Sequence, residues 1–284
     1  MNLYDQLRTL QTIDHAYNEW AQYRKDLTSL LIQYAKGSKK IALFGAGRCN
    51  DIDLNRLVEA FEEIILIDKD LEAMTEGIKQ QHVIKASSIQ LQKIDFLGIE
   101  EDDYRFYADC LIREIRKKGM RTNIDELAEV ALEQLEKLFQ KAMGTALSFE
   151  ALSYDTAIAI GVHSQLLSML EWIWSIMLQT IQQEETRVRS YIVKMNEVFV
   201  RRLNDAIIES ARHKVIMGCE EARIGKEGTI QGAIQTLWDL QKRQEEGELY
   251  LCESTHLNWP FHKAQSIEYK MLIQSMEKNK LGRY

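Results

Sequence analysis

Proline is nearly missing from this sequence: Pro260 is the single one in 284 residues, where average usage would supply many more. A chain so poor in proline carries long uninterrupted helices. Cysteine is sparse and unpatterned. Cys49, Cys110, Cys219 and Cys252 are far apart and no C-x-x-C occurs, so no metal site is expected. Free thiols in a chain of this size point to a reducing, cytoplasmic setting. Positive charge is also short, with 36 Lys and Arg against 43 Asp and Glu, a formal net charge of −7 and a pI of about 5.5. A nucleic-acid partner favours a basic face, so none is expected. The local cluster of Arg113, Arg116, Lys117, Lys118 and Arg121 reads as the solvated face of a helix. No run is long enough to cross a bilayer. The most apolar stretch, residues 166–178, is interrupted by Ser168, Glu171 and Ser175 and is too short to span. No membrane partner is expected. The first residues lack the basic region and apolar core of a signal peptide.

What is present centres on Gly45-Ala46-Gly47. A short apolar run, Ile41-Ala42-Leu43-Phe44, precedes it. A helical pattern with Leu54, Leu57, Val58 and Phe61 on one face follows, with Asn50, Asp51 or Asp53 available as N-cap. A second apolar run, Ile64-Ile65-Leu66-Ile67, ends at Asp68. The order is strand, glycine loop, helix, strand, acid. Strands this apolar are buried on both faces, as in a parallel sheet. The glycines allow a tight turn that brings N–H groups towards a ligand, and the acid is placed to accept from ribose hydroxyls. The unit suits an adenosine-type ligand. The third glycine of a dinucleotide fingerprint would fall at Asn50, which counts against a pyrophosphate site.

The segment Phe44-Gly45-Ala46-Gly47-Arg48-Cys49-Asn50-Asp51 resembles the first motif of class I S-adenosylmethionine-dependent methyltransferases. The resemblance implies that Gly45, Ala46 and Gly47, with Asn50, cradle the methionine part of the cofactor, and that Asp68, followed by Lys69, meets the ribose. The sequence departs from the family at two places: Leu43 stands where an acid is common and Cys49 where a glycine is common. Asp51 is the candidate replacement for that acid. The resemblance also implies a polar residue after the third strand at the adenine amine. With residues 82–86 read as that strand, the residue is Ser87 or Ser88, either of which a helix cap explains equally well.

Residues 1–36 show one helical pattern ended by Gly37. Tyr17, Trp20 and Tyr23 on its stripe read as core. In the family such an extension lies across the cofactor cleft. Residues 100–144 hold two helical patterns separated by Gly119, one more than a minimal doubly wound unit requires. This insertion is expected to act as a substrate lid. Residues 154–161 read as a fourth strand. Ligands in open α/β sheets lie where the strand order switches, so Gly161 and His163 are expected beside the glycine loop. His163 is the candidate general base; the alternative is a histidine that bonds to its surroundings and shapes the pocket. Further strands are expected at 214–219, 249–252 and 267–273. The resembled family ends in such a strand pair, which most dinucleotide dehydrogenases lack.

The expected fold is α/β: a doubly wound, mostly parallel seven-stranded methyltransferase-like sheet, with an N-terminal helical extension at 1–36, a main domain at 37–284 and the helical insertion at 100–144. The expected activity is methyl transfer from S-adenosylmethionine to a small-molecule substrate. A non-catalytic protein of the same fold, binding a nucleoside or a protein partner, is the first alternative, and a nicotinamide-dependent oxidoreductase the second. Methyl transfer needs alignment in a dry cleft more than a covalent catalyst, and no N-P-P-[YF] run is present to name a substrate. Residues 166–178 are apolar nearly all round, which calls for cover on every side. Either a homodimer or the rest of the same chain supplies it.

Overall fold

The computed structural model describes residues 2–147 and 149–279. The outer bounds of the expected units, residues 1 and 284, lie outside them. Seven strands form one sheet: β1 (Lys40–Phe44), β2 (Glu63–Asp68), β3 (Ile89–Lys93), β4 (Tyr154–Ile160), β5 (Ala211–Arg223), β6 (Leu249–His262) and β7 (Ile267–Lys278). Their order is β3-β2-β1-β4-β5-β7-β6. The first five run parallel, and β7 lies antiparallel between β5 and β6. This is the mostly parallel, methyltransferase-like sheet expected from the sequence.

Alternation along the strands builds two cores. Ala42, Phe44, Ile65 and Ile67 enter one, and Ile41, Leu43, Ile64 and Leu66 enter the other. With both faces covered, β1 and β2 have no reason to alternate in polarity, hence their continuous apolar runs. Helices α1 (Leu3–Gln11), α6 (Glu101–Lys118), α7 (Ile124–Gly144), α8 (Ser168–Ile181), α9 (Arg187–Ser210) and α10 (Ala233–Glu245) pack on the first face. On the second lie α2 (Ala16–Glu19), α3 (Ala21–Tyr34), α4 (Leu54–Ala60) and α5 (Leu71–Gln80). Local chemistry sets the helix starts. Asp53 caps α4 by accepting from the Arg56 N–H, Asp70 caps α5 through the Ala73 N–H, and Asn123 caps α7 through the Asp125 N–H.

Two expectations change, and one open alternative narrows. Residues 1–36 are not one helix. The chain leaves α1 at Thr12, His15 takes a left-handed backbone (φ 64°), and α3 packs on the opposite face from α1. Residues 12–20 therefore carry the chain over the carboxyl edge of the sheet. Residues 82–86 are not a strand: His82 has φ 48° and Ile84 is 89% exposed. The third strand is Ile89–Lys93, paired with β2 from Ile64↔Ile89 onward. At the sheet edge, polar Gln90 and Gln92 alternate with Ile89 and Leu91, so its apolar signal is weak. Finally, α8 is covered within the chain. Met169, Leu170, Ile173, Trp174 and Met177 are buried, and Trp172 and Ile176 pack against the same core. The homodimer expectation loses the exposed apolar face it rested on. Among the described residues no helix is long and apolar enough to cross a membrane.

Candidate functional site

The glycine loop leaves β1 through three left-handed residues, Gly45 (φ 74°), Gly47 (φ 47°) and Cys49 (φ 50°). Only glycine takes such angles without strain, so Cys49 costs something that a third glycine would not. The N–H groups of Gly45 and Ala46 both donate to the Ile67 carbonyl, at 2.8 and 3.2 Å. The N–H of Gly47 donates to Asp68 Oδ2 at 2.9 Å. The amides of Gly45, Ala46 and Gly47 therefore clamp β1 to the end of β2. Two close approaches fix the loop. A Cβ on Gly45 would stand 2.5 Å from Val162 Cγ2, and one on Gly77 of α5 would stand 2.3 Å from the Arg48 carbonyl oxygen.

Beside the loop, over the carboxyl ends of β2, β3 and β4, lies a groove of about 190 Å3. Asp68, Lys69 and Asp95 supply its charges, Phe96, Leu97 and Tyr104 an apolar wall, and Val162, Gln165, Leu166, Ser168 and Met169 the far side. Tyr4 and Gln11 of α1 close it from above, so the N-terminal helix does lie over the cleft. Tyr4 stacks on Tyr104 with ring centroids 5.3 Å apart, and Lys69 Nζ stands 5.7 Å from the Tyr104 ring centroid. Ion pairs of Arg8 with Glu101 and of Arg105 with Asp5 hold α1 in place. Exposed pairs of this kind contribute little each; the burial of Tyr4 and Leu7 holds the helix more firmly. Asp68 accepts from the Asp70 N–H on Oδ1 and from the Gly47 N–H on Oδ2, both at 2.9 Å. Burial pushes its carboxyl above the usual range, and those two N–H bonds oppose the shift.

The other expected site residues divide. Arg24 Nη1 of α3 donates to the backbone carbonyl of Asn50 at 2.9 Å, while Asp51 lines a small cavity with Gly45 and Ala46 of the glycine loop. The Asp51 residue is half-buried, but its carboxyl is enclosed, and burial raises it to about 6. Gly161 faces Trp259 and Glu220. Ser87 is a correction. It lies in the turn before β3, at the amino end of that strand and so at the opposite edge of the sheet from the loop. With β3 relocated, the polar residue that follows it into the groove is Asp95, whose Oδ1 accepts from the N–H groups of Leu97 and Gly98.

His163 is a second correction. It is 1% exposed, does not line the groove, and its Nε2 lies 2.8 Å from Asn204 Oδ1. The Asn204 amide nitrogen donates to Asp239 Oδ2, so its oxygen faces the histidine and Nε2–H is the donor. Burial lowers the His163 pKa to about 4, which leaves it a neutral strut between β4, α9 and α10. A base must reach the proton it takes, and this one does not reach the groove. The acid that sequence reading passed over is Glu220 on β5. It is 3% exposed, burial raises its pKa to about 7, and Ser164 Oγ donates to Oε1 at 2.7 Å. Its only sequence signal is an acid just beyond an apolar strand. Among the described residues no group of three or more His, Cys, Asp and Glu is placed to hold a metal.

No protein-family model matches the chain, and no curated relative matches it. Solved structures do. The chain is similar to the magnesium protoporphyrin IX methyltransferase of Synechocystis PCC 6803 with bound SAM, at 8% identity over 94% of this chain and 86% of that one, with a TM-score of 0.47. It is also similar to the N-methyltransferase NodS of Bradyrhizobium japonicum WM9, at 11% identity over 91% of this chain and 98% of that one, with a TM-score of 0.45. At such identities and scores the likeness says nothing of ligand or activity. The fold stands on the strand order and the antiparallel β7.

Proposed function

We propose that the protein is an S-adenosylmethionine-dependent methyltransferase acting on a small molecule, in the cytoplasm. One observation carries this reading: Asp68, at the carboxyl end of β2, faces a groove while its carboxylate is held by the glycine-loop backbone. Each Asp68 oxygen takes one backbone N–H, which leaves a lone pair on each for the two hydroxyls of a ribose. Asp95 and the wall of Phe96, Leu97 and Tyr104 suit an adenine beside it. When bound, the cofactor supplies a methyl group on a sulfonium sulfur. The chain's own part is to hold and orient the reactants and to exclude water. The four free cysteines support the cytoplasmic setting, and the acidic balance favours a small molecule over a nucleic acid.

The non-catalytic reading has three specific supports. The loop amides are already paired, Val162 packs onto Gly45, and the groove of about 190 Å3 is below the roughly 300–1,000 Å3 typical of ligand sites. Calorimetric titration with S-adenosylmethionine, S-adenosylhomocysteine and NAD separates the readings. Binding of the first two alone removes the oxidoreductase and supports an S-adenosylmethionine site, and turnover of the bound S-adenosylmethionine to S-adenosylhomocysteine then separates the enzyme from a non-catalytic nucleoside binder. Binding of NAD alone selects the oxidoreductase, and binding of none selects the non-catalytic protein.

A further inference from the structure

We propose that the cavity between α8, α9 and the segment leading into α10 is a binding site for a small zwitterion, an α-amino acid with an aliphatic side chain. Such a site stands whether or not the protein transfers methyl groups.

The cavity measures about 200 Å3. Arg189, Ile192, Val193 and Asn196 of α9 line one side. Steps of three, one and three residues keep helical side chains on one face, so α9 turns a single stripe to the cavity. Leu167, Ser168 and Glu171, where α8 begins, line the other side, and residues 229–231 close it from before α10. Asn196 is the residue that asks for a ligand. It is 4% exposed, and its Oδ1 is enclosed without a partner. Buried polar atoms are rarely left unpaired. The torsion that carries a carboxamide is broad and roughly two-fold, so the amide can turn its oxygen to whatever fills the cavity.

Two features choose the occupant. The first is charge. Arg189 Nε stands 2.9 Å from Glu171 Oε1, and neither side chain has another partner among the described residues. One ion pair leaves most of the guanidinium N–H groups and carboxylate lone pairs unused. The lining is therefore neutral overall yet offers both signs. A lone anion arriving there meets the like charge of Glu171, and a lone cation meets that of Arg189. A zwitterion answers both. Its carboxylate accepts from the guanidinium, a pairing that favours planar, two-point contact. Its ammonium has three N–H groups, and three acceptors line the cavity: the Glu171 carboxylate, Asn196 Oδ1 and Ser168 Oγ, whose own hydrogen goes to the Gln165 carbonyl at 3.0 Å. The second feature is apolar surface. Leu167 and Ile192 are each 2% exposed, and Val193 and Ile230 line the same cavity. Ordered water satisfies a buried amide but gains nothing from aliphatic surface, which suits an aliphatic side chain. The volume lies below the roughly 300–1,000 Å3 of larger ligand sites, as fits an amino acid.

The test is calorimetric titration of the full chain with three solutes: L-leucine, isoamylamine, which lacks the carboxylate, and isocaproate, which lacks the ammonium. The expected result is saturable heat with L-leucine alone, with affinity weakened at least tenfold in Arg189→Gln. Arg189 is exposed, so that variant changes recognition without touching the core. Asn196→Leu, which puts apolar atoms into the cavity, should abolish L-leucine binding. Ser168 lines both this cavity and the groove, so Asp68→Ala, which alters the groove alone, is the control and should keep L-leucine affinity within about twofold. No saturable heat with L-leucine, an equal response to either half-molecule, unchanged affinity in Arg189→Gln, or a tenfold loss in Asp68→Ala overturns the site. Should Asn196→Leu fail to fold, Arg189→Gln decides.

Discussion

The backbone N–H of Gly47 donates to Asp68 Oδ2 across 2.9 Å, and this bond makes the glycine loop and the acid one part. The left-handed backbone of Gly47 turns the amide toward β2, and the carboxylate that receives it also receives the Asp70 N–H. The acid is thus oriented before any ligand arrives. Preorganised acceptors lose less on binding than mobile ones.

Asp68→Ala removes a charged acceptor from a ribose and orphans two backbone donors at once. The first loss should weaken S-adenosylhomocysteine by tenfold to a hundredfold, about 1.5–3 kcal/mol. The second should lower unfolding stability by about 1–3 kcal/mol. Asp68→Asn keeps an oxygen for one of the two N–H groups, so it should recover part of the stability while affinity stays weak. Calorimetry and urea melts on the two variants measure both. An affinity unchanged in either would falsify the assignment of Asp68.

Glu220 should leave a mark on stability against pH. Its pKa rises from 4.5 to about 7 because burial penalises the charged form. The folded state therefore binds the proton more tightly than the unfolded chain. The stabilisation is fully present below pH 4.5 and is lost as pH climbs through 7, a change of about 3 kcal/mol from that group alone. Melting curves of wild type and Glu220→Gln should diverge across this window, with the variant relatively more stable at pH 8 than at pH 5. Parallel curves would show that Glu220 is not enclosed as described.

His163 has the opposite slope. Its pKa falls from 6.5 to about 4, so the folded state refuses a proton that the unfolded chain accepts. Its contribution is present above pH 6.5 and is lost as pH falls toward 4. The two groups partly cancel between pH 4.5 and 6.5, which is why each must be read against its own variant. His163→Ala leaves Asn204 Oδ1 without its donor and should cost about 1–3 kcal/mol of stability. It should leave S-adenosylhomocysteine affinity within about twofold, because the ring lies outside the groove. A tenfold loss in a folded variant would restore His163 to the site.

Much of the architecture was legible because it depends on local apolarity. Ile41 to Phe44 and Ile64 to Ile67 are uniformly apolar since both sheet faces are covered, and Asp68 follows directly. The third strand was not legible, because an edge strand shows half of its residues to water and Gln90 and Gln92 hide it. Val83 and Ile84 were the more apolar pair, yet Ile84 is exposed. Asp95 as a groove residue was lost with that strand. Glu220 was invisible for another reason: its enclosure is made by Trp259 and Tyr23, which no spacing rule connects to it. His163 was correctly placed after β4, but the direction of its ring depends on Asn204, 41 residues away.

Gly77 tests whether contact or propensity governs α5. In a helix interior Ala is favoured over Gly by about 1 kcal/mol, and α5 runs from Leu71 to Gln80, so propensity alone makes Gly77→Ala stabilising. The position is not free. An added Cβ would stand 2.3 Å from the Arg48 carbonyl oxygen and 2.8 Å from its carbon. These are backbone atoms of the glycine loop, not the end of a side chain that can swing away. Arg48 follows Gly47, whose N–H holds Asp68. Relief of the clash must either lift α5 or move the loop, and overpacking of this kind costs about 1–3 kcal/mol. Gly77→Ala should therefore lower the melting temperature. It should also weaken S-adenosylhomocysteine, because a displaced loop no longer orients the carboxylate. Thermal melts and calorimetry on one preparation decide: a variant more stable than wild type with unchanged affinity would show that α5 does not set the position of the loop.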